Sequence, residues 1–483
     1  MGAATLTLLA CGHAKRSRVT TISATGATSL AVAADPHLIE MTTEATTPLV
    51  AASAASQLGV RIQVRALGLP DSKRPPLNLT LVLDTSGSME GEAIESLKSS
   101  AGKLIEQMRD GDRVSVIAFH SKVDVLVPST VIEATARKRI AGAIHGIRAR
   151  GTTDLAAGLA IGLQQVQGNR FADGINRIVL LSDGVPNTAV ALPGLVATAH
   201  QSGIGITTLG LGLDYDTTLL AQMARDTGGS FHYIESPEAV AAVFDDELSK
   251  MTTVVGRNLQ LVLSPGPGVT IEPMPGLVPA GDGKVYATIG DLAAGEKRDL
   301  MIPIKLTARG EGSTAELVDA VLTFDDVVNR SGRQQRDGFV SVKTSKDTAA
   351  IRKAVKIDLE VQRVRTAAAS AILEAITMAR ANQIDQARKR LALAADLVRA
   401  AATRLQDPAL AEIITQIEEV TQQLAQMTQT VAQVQVQVQV QDRTPMSDER
   451  QSSVAPAMAP APAERKLRKM QDTAAKTVRG SSQ

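Results

Sequence analysis

The stretch from residue 76 to residue 251 alternates short apolar runs with longer amphipathic segments. Residues 77–84 and 177–184 are apolar runs that carry an aspartate at or next to their end, a pattern typical of buried parallel strands. Between such runs, apolar side chains recur every three or four positions, as in residues 91–109, which predicts helices. Strands that alternate with helices predict an α/β domain with a doubly wound sheet and helices on both faces.

The pattern changes after residue 257, where apolar residues occupy every second position. Leu259, Leu261 and Leu263 alternate in this way, and further runs of the same period follow between turns rich in Gly and Pro. This periodicity predicts a small antiparallel β-sandwich over residues 257–346. A strand is also predicted within residues 58–75, before the α/β domain, and we expect it to pair with the sandwich.

The carboxyl-terminal third of the chain is predicted to be helical and then irregular. Residues 348–428 carry two apolar stripes at helical spacing, which predicts a helical hairpin. Asp407 and Pro408 suit the N-cap and first turn of its second helix. Residues 429–483 are predicted to form a low-complexity, basic tail. Within it, the run VAQVQVQVQVQ at residues 431–441 alternates strictly and is compatible with an exposed strand or with disorder.

The last part of this tail is strongly basic. Residues 464–479 hold six basic and two acidic side chains. On a helix, four apolar side chains would share one face: Leu467, Met470, Ala474 and Val478. We expect a solvated tail, and the alternative is contact with anionic lipid or an acidic partner.

At the amino terminus, an apolar run over residues 3–10 is too short to cross a bilayer as a helix. The segment LLAC at residues 8–11 resembles a bacterial lipoprotein signal, in which a peptidase cuts before a cysteine that then carries lipid. We therefore predict a signal over residues 1–11, lipidation of Cys11, a flexible tether over residues 12–57, and location at the bacterial cell envelope. The alternative is a frayed cytosolic amino terminus with a chance cysteine.

Composition narrows the classes of partner and chemistry. The chain of 483 residues has 51 Lys and Arg against 50 Asp and Glu, and 2% aromatic residues. Nucleic acid is therefore not an expected partner, because neither net charge nor aromatic stacking would attract it. A single cysteine excludes a disulfide framework and a Cys-ligated metal site. No motif of a zinc protease, a serine hydrolase or a nucleotide-binding loop is found, so no enzyme is predicted.

Aspartates lie at the ends of two predicted strands of the α/β domain. Ligands of doubly wound sheets bind beyond the carboxyl ends of the strands, where Asp84 and Asp183 lie. Ser86 and Ser88 follow Asp84 at alternate positions of a loop, so these side chains can face one point. Taken singly, such residues are often only helix caps and turns. Their joint occurrence predicts an oxygen-ligand metal site that suits Mg²⁺ better than Zn²⁺.

The segment DTSGS at residues 84–88 resembles the DxSxS signature of the von Willebrand factor A (VWA) domain and its metal-ion-dependent adhesion site. Residues 151–155 resemble the threonine loop of that family, and residues 180–184 resemble the strand that supplies its last aspartate. The resemblance covers about residues 76–251 and implies a Rossmann-like VWA domain. It implies five metal ligands: Asp84, Ser86, Ser88, Thr153 and Asp183. Alignment to the following Asp-Leu pair favours Thr153 over Thr152.

The resemblance also implies how the site works. Mg²⁺, or Mn²⁺ or Ca²⁺ in its place, would keep one coordination position open for an acidic side chain of a partner protein. A VWA domain followed by a β domain resembles bacterial proteins related to the inter-alpha-trypsin-inhibitor and calcium-activated-chloride-channel-like groups. We predict a non-enzymatic, cation-dependent protein-binding protein that is anchored to the envelope membrane through Cys11. The alternative is a cytoplasmic accessory subunit of an AAA+ ATPase, as in metal chelatases.

Overall fold

A computed structural model describes residues 38–68, 74–441 and 462–480. The predicted signal over residues 1–11, with Cys11, and residues 12–37 of the predicted tether lie outside the described residues. Three bodies are present: a doubly wound α/β domain, a two-sheet β-sandwich and a bundle of helices. Among the described residues, no helix is both long and apolar enough to span a bilayer.

The strands and helices have the following bounds. The strands are β1 (Ile39–Ala45), β2 (Leu49–Ala51), β3 (Ser56–Ala66), β4 (Leu77–Asp84), β5 (Arg113–Phe119), β6 (Val123–Val131), β7 (Ile175–Gly184), β8 (Gly205–Asp214), β9 (Phe231–Ile234), β10 (Val254–Pro265), β11 (Val269–Ile271), β12 (Leu277–Pro279), β13 (Val285–Ala293), β14 (Lys297–Leu306), β15 (Thr314–Asp326) and β16 (Gly332–Ser345). The helices are α1 (Glu92–Gln107), α2 (Ala134–His145), α3 (Leu155–Gly168), α4 (Leu192–Gln201), α5 (Thr217–Thr227), α6 (Val240–Thr252), α7 (Thr348–Ala354), α8 (Ile357–Arg380), α9 (Ile384–Leu405), α10 (Ala409–Gln441) and α11 (Pro462–Arg479).

The sheet of the α/β domain has the order β6-β5-β4-β7-β8-β9, and all pairs are parallel except β5 with β6. From β4 the chain crosses to β5 on one side, whereas from β7 it crosses to β8 on the other side. The carboxyl ends of the neighbouring strands β4 and β7 therefore form the switch point of the sheet, where open α/β sheets bind ligands. The predicted doubly wound fold is confirmed.

Two layers of helices cover this sheet because its central strands are apolar on both faces. On one face, Leu81 and Leu83 of β4 pack in a cluster with side chains of α1, α2 and α6. On the other face, Val82 packs in a cluster with side chains of α3, α4 and α5. Burial on both faces explains why every residue of β4 is buried, including Asn78 and Thr80, whose side chains form hydrogen bonds within the domain.

The β-sandwich consists of a four-stranded sheet, β1-β3-β14-β11, and a six-stranded sheet, β12-β13-β10-β15-β16-β2. Strand β3 pairs along its whole length with β14, which confirms that the strand before the α/β domain belongs to the sandwich. The tether predicted over residues 12–57 is wrong from residue 39 onward, because β1 pairs with β3 and β2 pairs with β16. Strand β16 is distant from β2 in sequence. Strand β1 is separated from β3 by ten residues that include β2, and it shows little apolar alternation of its own.

The helical region extends beyond the predicted hairpin. Helices α8, α9 and α10 pack with α11 around one apolar cluster, which includes Leu467, Ala474 and Val478. The segment predicted as a solvated basic tail is therefore a packed amphipathic helix, and the predicted apolar face is the buried one. Helix α10 runs on through residues 431–441, so neither the strand nor the disorder considered there is observed. Gln is a good helix former, whereas an isolated strand would leave its backbone groups unpaired.

The α/β domain is an insertion in the sandwich, because the chain leaves through β3 and returns through β10. Arg257, near the start of β10, donates hydrogen bonds to the backbone carbonyls of Ala172 and Gly174. At a second contact, the backbone of Gly228 after α5 touches the backbone of Gly290 in β13. Both glycines have positive φ, 71° and 91°, and a Cβ built on Gly290 would lie 2.0 Å from the Gly228 carbonyl oxygen. This contact leaves no space for a side chain.

We expect Gly290→Ala to weaken the junction between the α/β domain and the sandwich. The added Cβ both strains a positive-φ backbone and forces the two domains apart, and overpacking of this kind costs about 1–3 kcal/mol. The measurement is the melting temperature of the full chain. Gly295→Ala is the matched control, because Gly295 also has positive φ but its Cβ would meet no atom within 4 Å. Equal melting temperatures for the two variants would contradict the proposed steric role of Gly290.

Candidate metal centre

Asp84 is the last residue of the central strand β4, and its side chain is fully buried. One carboxylate oxygen, Oδ1, accepts a hydrogen bond from the backbone N–H of Ser86 at 2.9 Å. The other, Oδ2, accepts one from the Ser182 hydroxyl at 2.5 Å. The first bond turns the chain immediately after β4 and the second ties β4 to β7. Asp84 is thereby fixed at the switch point of the sheet.

The two serines and the second aspartate form a chain of short contacts beside Asp84. The hydroxyl oxygens of Ser86 and Ser88 lie 3.0 Å apart, and the Ser88 hydroxyl donates to Oδ1 of Asp183 at 2.7 Å. Ser86 is buried, whereas Ser88 is exposed. The group of oxygens therefore opens to solvent on the side of Ser88.

The loop after α2 brings the predicted threonine to the same place. Its backbone is joined to the loop after β4 by hydrogen bonds from Arg150 N–H to the Thr85 carbonyl and from Gly87 N–H to the Gly151 carbonyl. The Thr153 side chain is buried, and its hydroxyl oxygen lies 2.9 Å from where a Cβ of Gly184 would be. A side chain at position 184 would thus collide with Thr153 next to Asp183.

The structure separates the roles of the two neighbouring threonines. The Thr152 hydroxyl accepts a hydrogen bond from the side-chain amide of Asn187 at 3.0 Å. The backbone N–H of Asn187 donates to the Thr153 carbonyl, also at 3.0 Å. Thr152 therefore holds the loop after β7, and Thr153 is the threonine whose hydroxyl lies beside the strand end that carries Asp183.

Electrostatics at this edge of the sheet disfavours two bare carboxylates. Burial raises the pKa of Asp84 above its ordinary value, although hydrogen bonds from Ser182 and Ser86 oppose the shift. Burial also raises the pKa of Asp183 to about 6; the Ser88 hydroxyl opposes this increase, and the charges of Asp84 and Asp214 add to it. A cation between the carboxylates would remove the cost of holding these charges away from water.

The donor set fits a hard divalent cation. Hydrogen bonds link Asp84, Ser86, Ser88 and Asp183, and the Thr153 hydroxyl lies beside the next residue, Gly184. Oxygen ligands of this kind suit Mg²⁺, Mn²⁺ or Ca²⁺. In the part of the chain that the structure describes, no three His, Cys, Asp or Glu side chains cluster closely enough to hold a metal. The candidate site has only two such side chains, Asp84 and Asp183, and its other oxygen atoms belong to hydroxyl groups.

Sequence analysis missed three residues that shape this site: Ser182, Asn187 and Asp214. Ser182 reaches Asp84 because Leu181 of β7 lies opposite Leu83 of β4, which places the next residue of each strand side by side. Asp214 ends β8 and acts on Asp183 through its charge alone. These roles follow from strand order and register, which a single sequence does not display.

Comparison with known proteins places this site in a known domain. The family model of the von Willebrand factor type A domain matches residues 78–246, a range that contains all five predicted ligands. An uncharacterized protein of Synechocystis sp. is 34% identical over 223 residues, 45% of this chain and 52% of that protein. Human inter-alpha-trypsin inhibitor heavy chain H4 is 26% identical over 164 residues, 32% of this chain and 18% of the inhibitor chain. The chain therefore spans about half the length of the first of these relatives and less of the second.

Solved structures share the fold over a longer stretch. The structure described as von Willebrand factor type A from Catenulispora acidiphila aligns with 94% of this chain and 100% of its own, with a TM-score of 0.66 at 16% identity. The ArnB paralog VWA2 from Sulfolobus acidocaldarius aligns with 80% of this chain and 98% of its own, with a TM-score of 0.52 at 16% identity. The combination of α/β domain, sandwich and helices is thus a recurring architecture. Residues 78–246 of this chain form a von Willebrand factor type A domain, inserted in a β-sandwich.

Proposed function

We propose that the chain is a protein-binding protein whose VWA domain captures an acidic side chain of a partner through a bound divalent cation, with Mg²⁺ as the first candidate. VWA domains commonly bind other proteins. The observation that carries the proposal is the grouping of oxygen-bearing side chains at one switch point. Asp84, Ser86, Ser88 and Asp183 are linked by hydrogen bonds, and the Thr153 hydroxyl lies beside Gly184, the residue after Asp183. Asp84, Ser86, Ser88 and Thr153 would bind the ion directly or through water, and Asp183 would add charge next to it.

The surroundings of the site support a protein ligand. A cation with incomplete protein coordination attracts a carboxylate, and the oxygens are accessible on the side of Ser88. The loop that follows Asp183 exposes two apolar side chains, Val185 at 60% and Val190 at 90%. Exposed apolar residues beside a charged centre are typical of a contact surface for another protein.

Binding rather than catalysis is proposed for these side chains. The hydroxyl groups of Ser86 and Ser88 contact one another, and the Ser88 hydroxyl also donates to the Asp183 carboxylate. An activated serine nucleophile requires an adjacent base that is oriented for proton abstraction, commonly a histidine. The serines of this site have the neighbours of metal ligands instead.

Asp84→Asn is expected to abolish Mg²⁺ and Mn²⁺ binding without lowering the melting temperature of the ion-free protein. The amide keeps the shape of the carboxyl but removes a buried charge that burial already disfavours. Titration calorimetry measures the loss of binding. Wild-type affinity in the variant would overturn the assignment of the site.

Asp154→Asn is the matched control for this variant. Asp154 lies next to Thr153, but its carboxylate accepts the backbone N–H of Ala157 and caps α3, a role that Asn fills equally well. Metal binding should persist in this control. With each protein immobilised, a partner should be retained in Mg²⁺, be released by EDTA and be missing from Asp84→Asn. A partner held equally with Mg²⁺ and with EDTA would contradict cation-dependent capture.

Mg²⁺ affinity is expected to fall as the pH drops below about 6. Asp183 has its pKa raised to about 6 in the ion-free protein, so below that pH a proton must leave before the ion binds. One competing proton weakens binding about tenfold per pH unit. The dissociation constant measured between pH 7.5 and pH 5 tests this expectation. In Asp214→Asn the decline should begin at lower pH, because the Asp214 charge raises the pKa of Asp183. A constant affinity over this range would refute the competition.

We further propose that a lipid on Cys11 anchors the protein at the bacterial cell envelope, because the LLAC segment at residues 8–11 resembles a lipoprotein signal. Cells that express the full chain should incorporate labelled palmitate, and Cys11→Ser should lose the label. A wild-type protein that retains Met1 and carries no lipid would show that the proposed anchor is wrong.

A further inference from the structure

A second candidate site lies at the opposite edge of the same sheet. A cavity of about 130 Å³ lies where the VWA domain, the sandwich and α11 meet, and it is partly open to solvent. Arg177, near the start of β7, and Gly229, before β9, line it from the VWA domain. Amino ends of strands thus border this cavity, whereas carboxyl ends border the metal site. The cavity belongs to neither the metal site nor its rim.

Arg479, the last residue of α11, brings an unbalanced charge to this cavity. Its guanidinium donates one hydrogen bond, to the Gly229 carbonyl at 2.9 Å. Among the described residues, no carboxylate lies within salt-bridge distance of it. Burial, together with the charges of Arg298 and Arg225, lowers the pKa of Arg479 to about 10, while the charges of Glu247 and Asp226 oppose the shift. The side chain remains charged at neutral pH, and a buried charge without a counter-charge is costly.

Several acidic side chains line the cavity, but their charges are already balanced. Asp291 pairs with Arg177, Asp472 with Lys476, Glu296 with Arg298, and Glu247 with His232 and Lys250. The Nε–H of Arg177 is nevertheless buried without a hydrogen-bond acceptor among the described residues. Arg225 has Asp226 at 3.6 Å, a contact on the exposed side of α5. Four arginines therefore border one cavity, and its lining holds six basic side chains against four acidic ones.

Apolar side chains form another part of the cavity wall. They include five side chains from α6, β10, β14 and α11: Met251, Val254, Leu300, Ile302 and Val478. An engineered apolar cavity of about 150 Å³ binds benzene. The present cavity therefore suits a ligand with an apolar body of about five or six heavy atoms, to which a charged group is attached. A fork of guanidinium donors recognises planar carboxylates and phosphates through paired hydrogen bonds.

We propose that this cavity, bounded by Arg177, Arg225 and Arg479, binds a small organic anion that carries a carboxylate or phosphate group on a short apolar body. The anionic group would meet the guanidinium of Arg479 and supply its missing counter-charge. The apolar body would contact Val254, Leu300 and the other aliphatic walls. Because Arg479 ends α11, the bound ligand would also contact this helix, the VWA domain and the sandwich at once, and would hold the helix against them.

The test uses the full chain with three probes at constant ionic strength: sodium benzoate, inorganic phosphate and the uncharged benzyl alcohol. Titration calorimetry should show saturable binding of benzoate, phosphate or both, and the melting temperature should rise with the concentration of the anion that binds. Benzyl alcohol should bind at least tenfold more weakly than the anion that binds more tightly. Benzyl alcohol that binds as tightly as that anion, or no saturable binding of either anion, would overturn the proposal.

Variants locate the binding to this cavity. Arg479→Gln should weaken anion binding at least tenfold, because it removes the charge that contacts the ligand. Arg225→Gln should weaken it as well, and its partly exposed position makes it tolerant of substitution if Arg479→Gln fails to fold. Lys466→Gln is the matched control, since it removes a charge from an exposed position of the same helix and should bind as wild type does. Wild-type affinity in Arg225→Gln and Arg479→Gln would place the anion elsewhere.

Discussion

The burial of strand β4 on both faces is the constraint on which the molecule depends. All eight of its residues are buried, so helices must cover both sides of the sheet. The same strand ends on a carboxylate, and burial raises the pKa of that Asp84 side chain. A charge in this position requires compensation at the point where the crossover connections diverge. The site thus lies where a strand that is buried along its whole length ends on an acidic residue.

Insertion of the VWA domain in the sandwich gives the domain a fixed base. Both of its ends enter the sandwich, through β3 and β10, and the junction is closed by Arg257 and by the contact of Gly228 with Gly290. These contacts lie away from the carboxyl edge of the sheet. The base therefore holds the domain without covering the side on which Ser88 is exposed.

The features that the sequence predicts most reliably are those encoded within short segments, such as apolar runs, helical spacing and motifs. The α/β domain could be predicted because apolar runs and helical spacing are local patterns. The five candidate oxygen ligands could be named because they lie in three short segments, residues 84–88, 151–155 and 180–184. Long-range pairing could not be predicted. The sequence predicts a tether where β1 lies, because β1 does not form a simple hairpin with the next strand. Its partner is β3, and β2 lies between the two along the chain. Ser182 escaped notice for the same reason, since its contact with Asp84 depends on the pairing of β4 with β7.

Helix α11 shows why composition alone misassigned the carboxyl terminus. A net positive segment suggests a solvated tail, but long basic side chains can cover apolar surface while their charged ends find partners. Arg468 lies with its guanidinium 4.6 Å from the ring centre of Tyr215, next to Asp214 at the carboxyl end of β8. Arg479 contacts the Gly229 carbonyl near the amino end of β9. The helix therefore follows the sheet from the edge that holds the acidic site to the edge that holds the arginines. Arg468 and Arg479 thus contact the VWA domain, and the apolar face of the helix packs in the helical bundle.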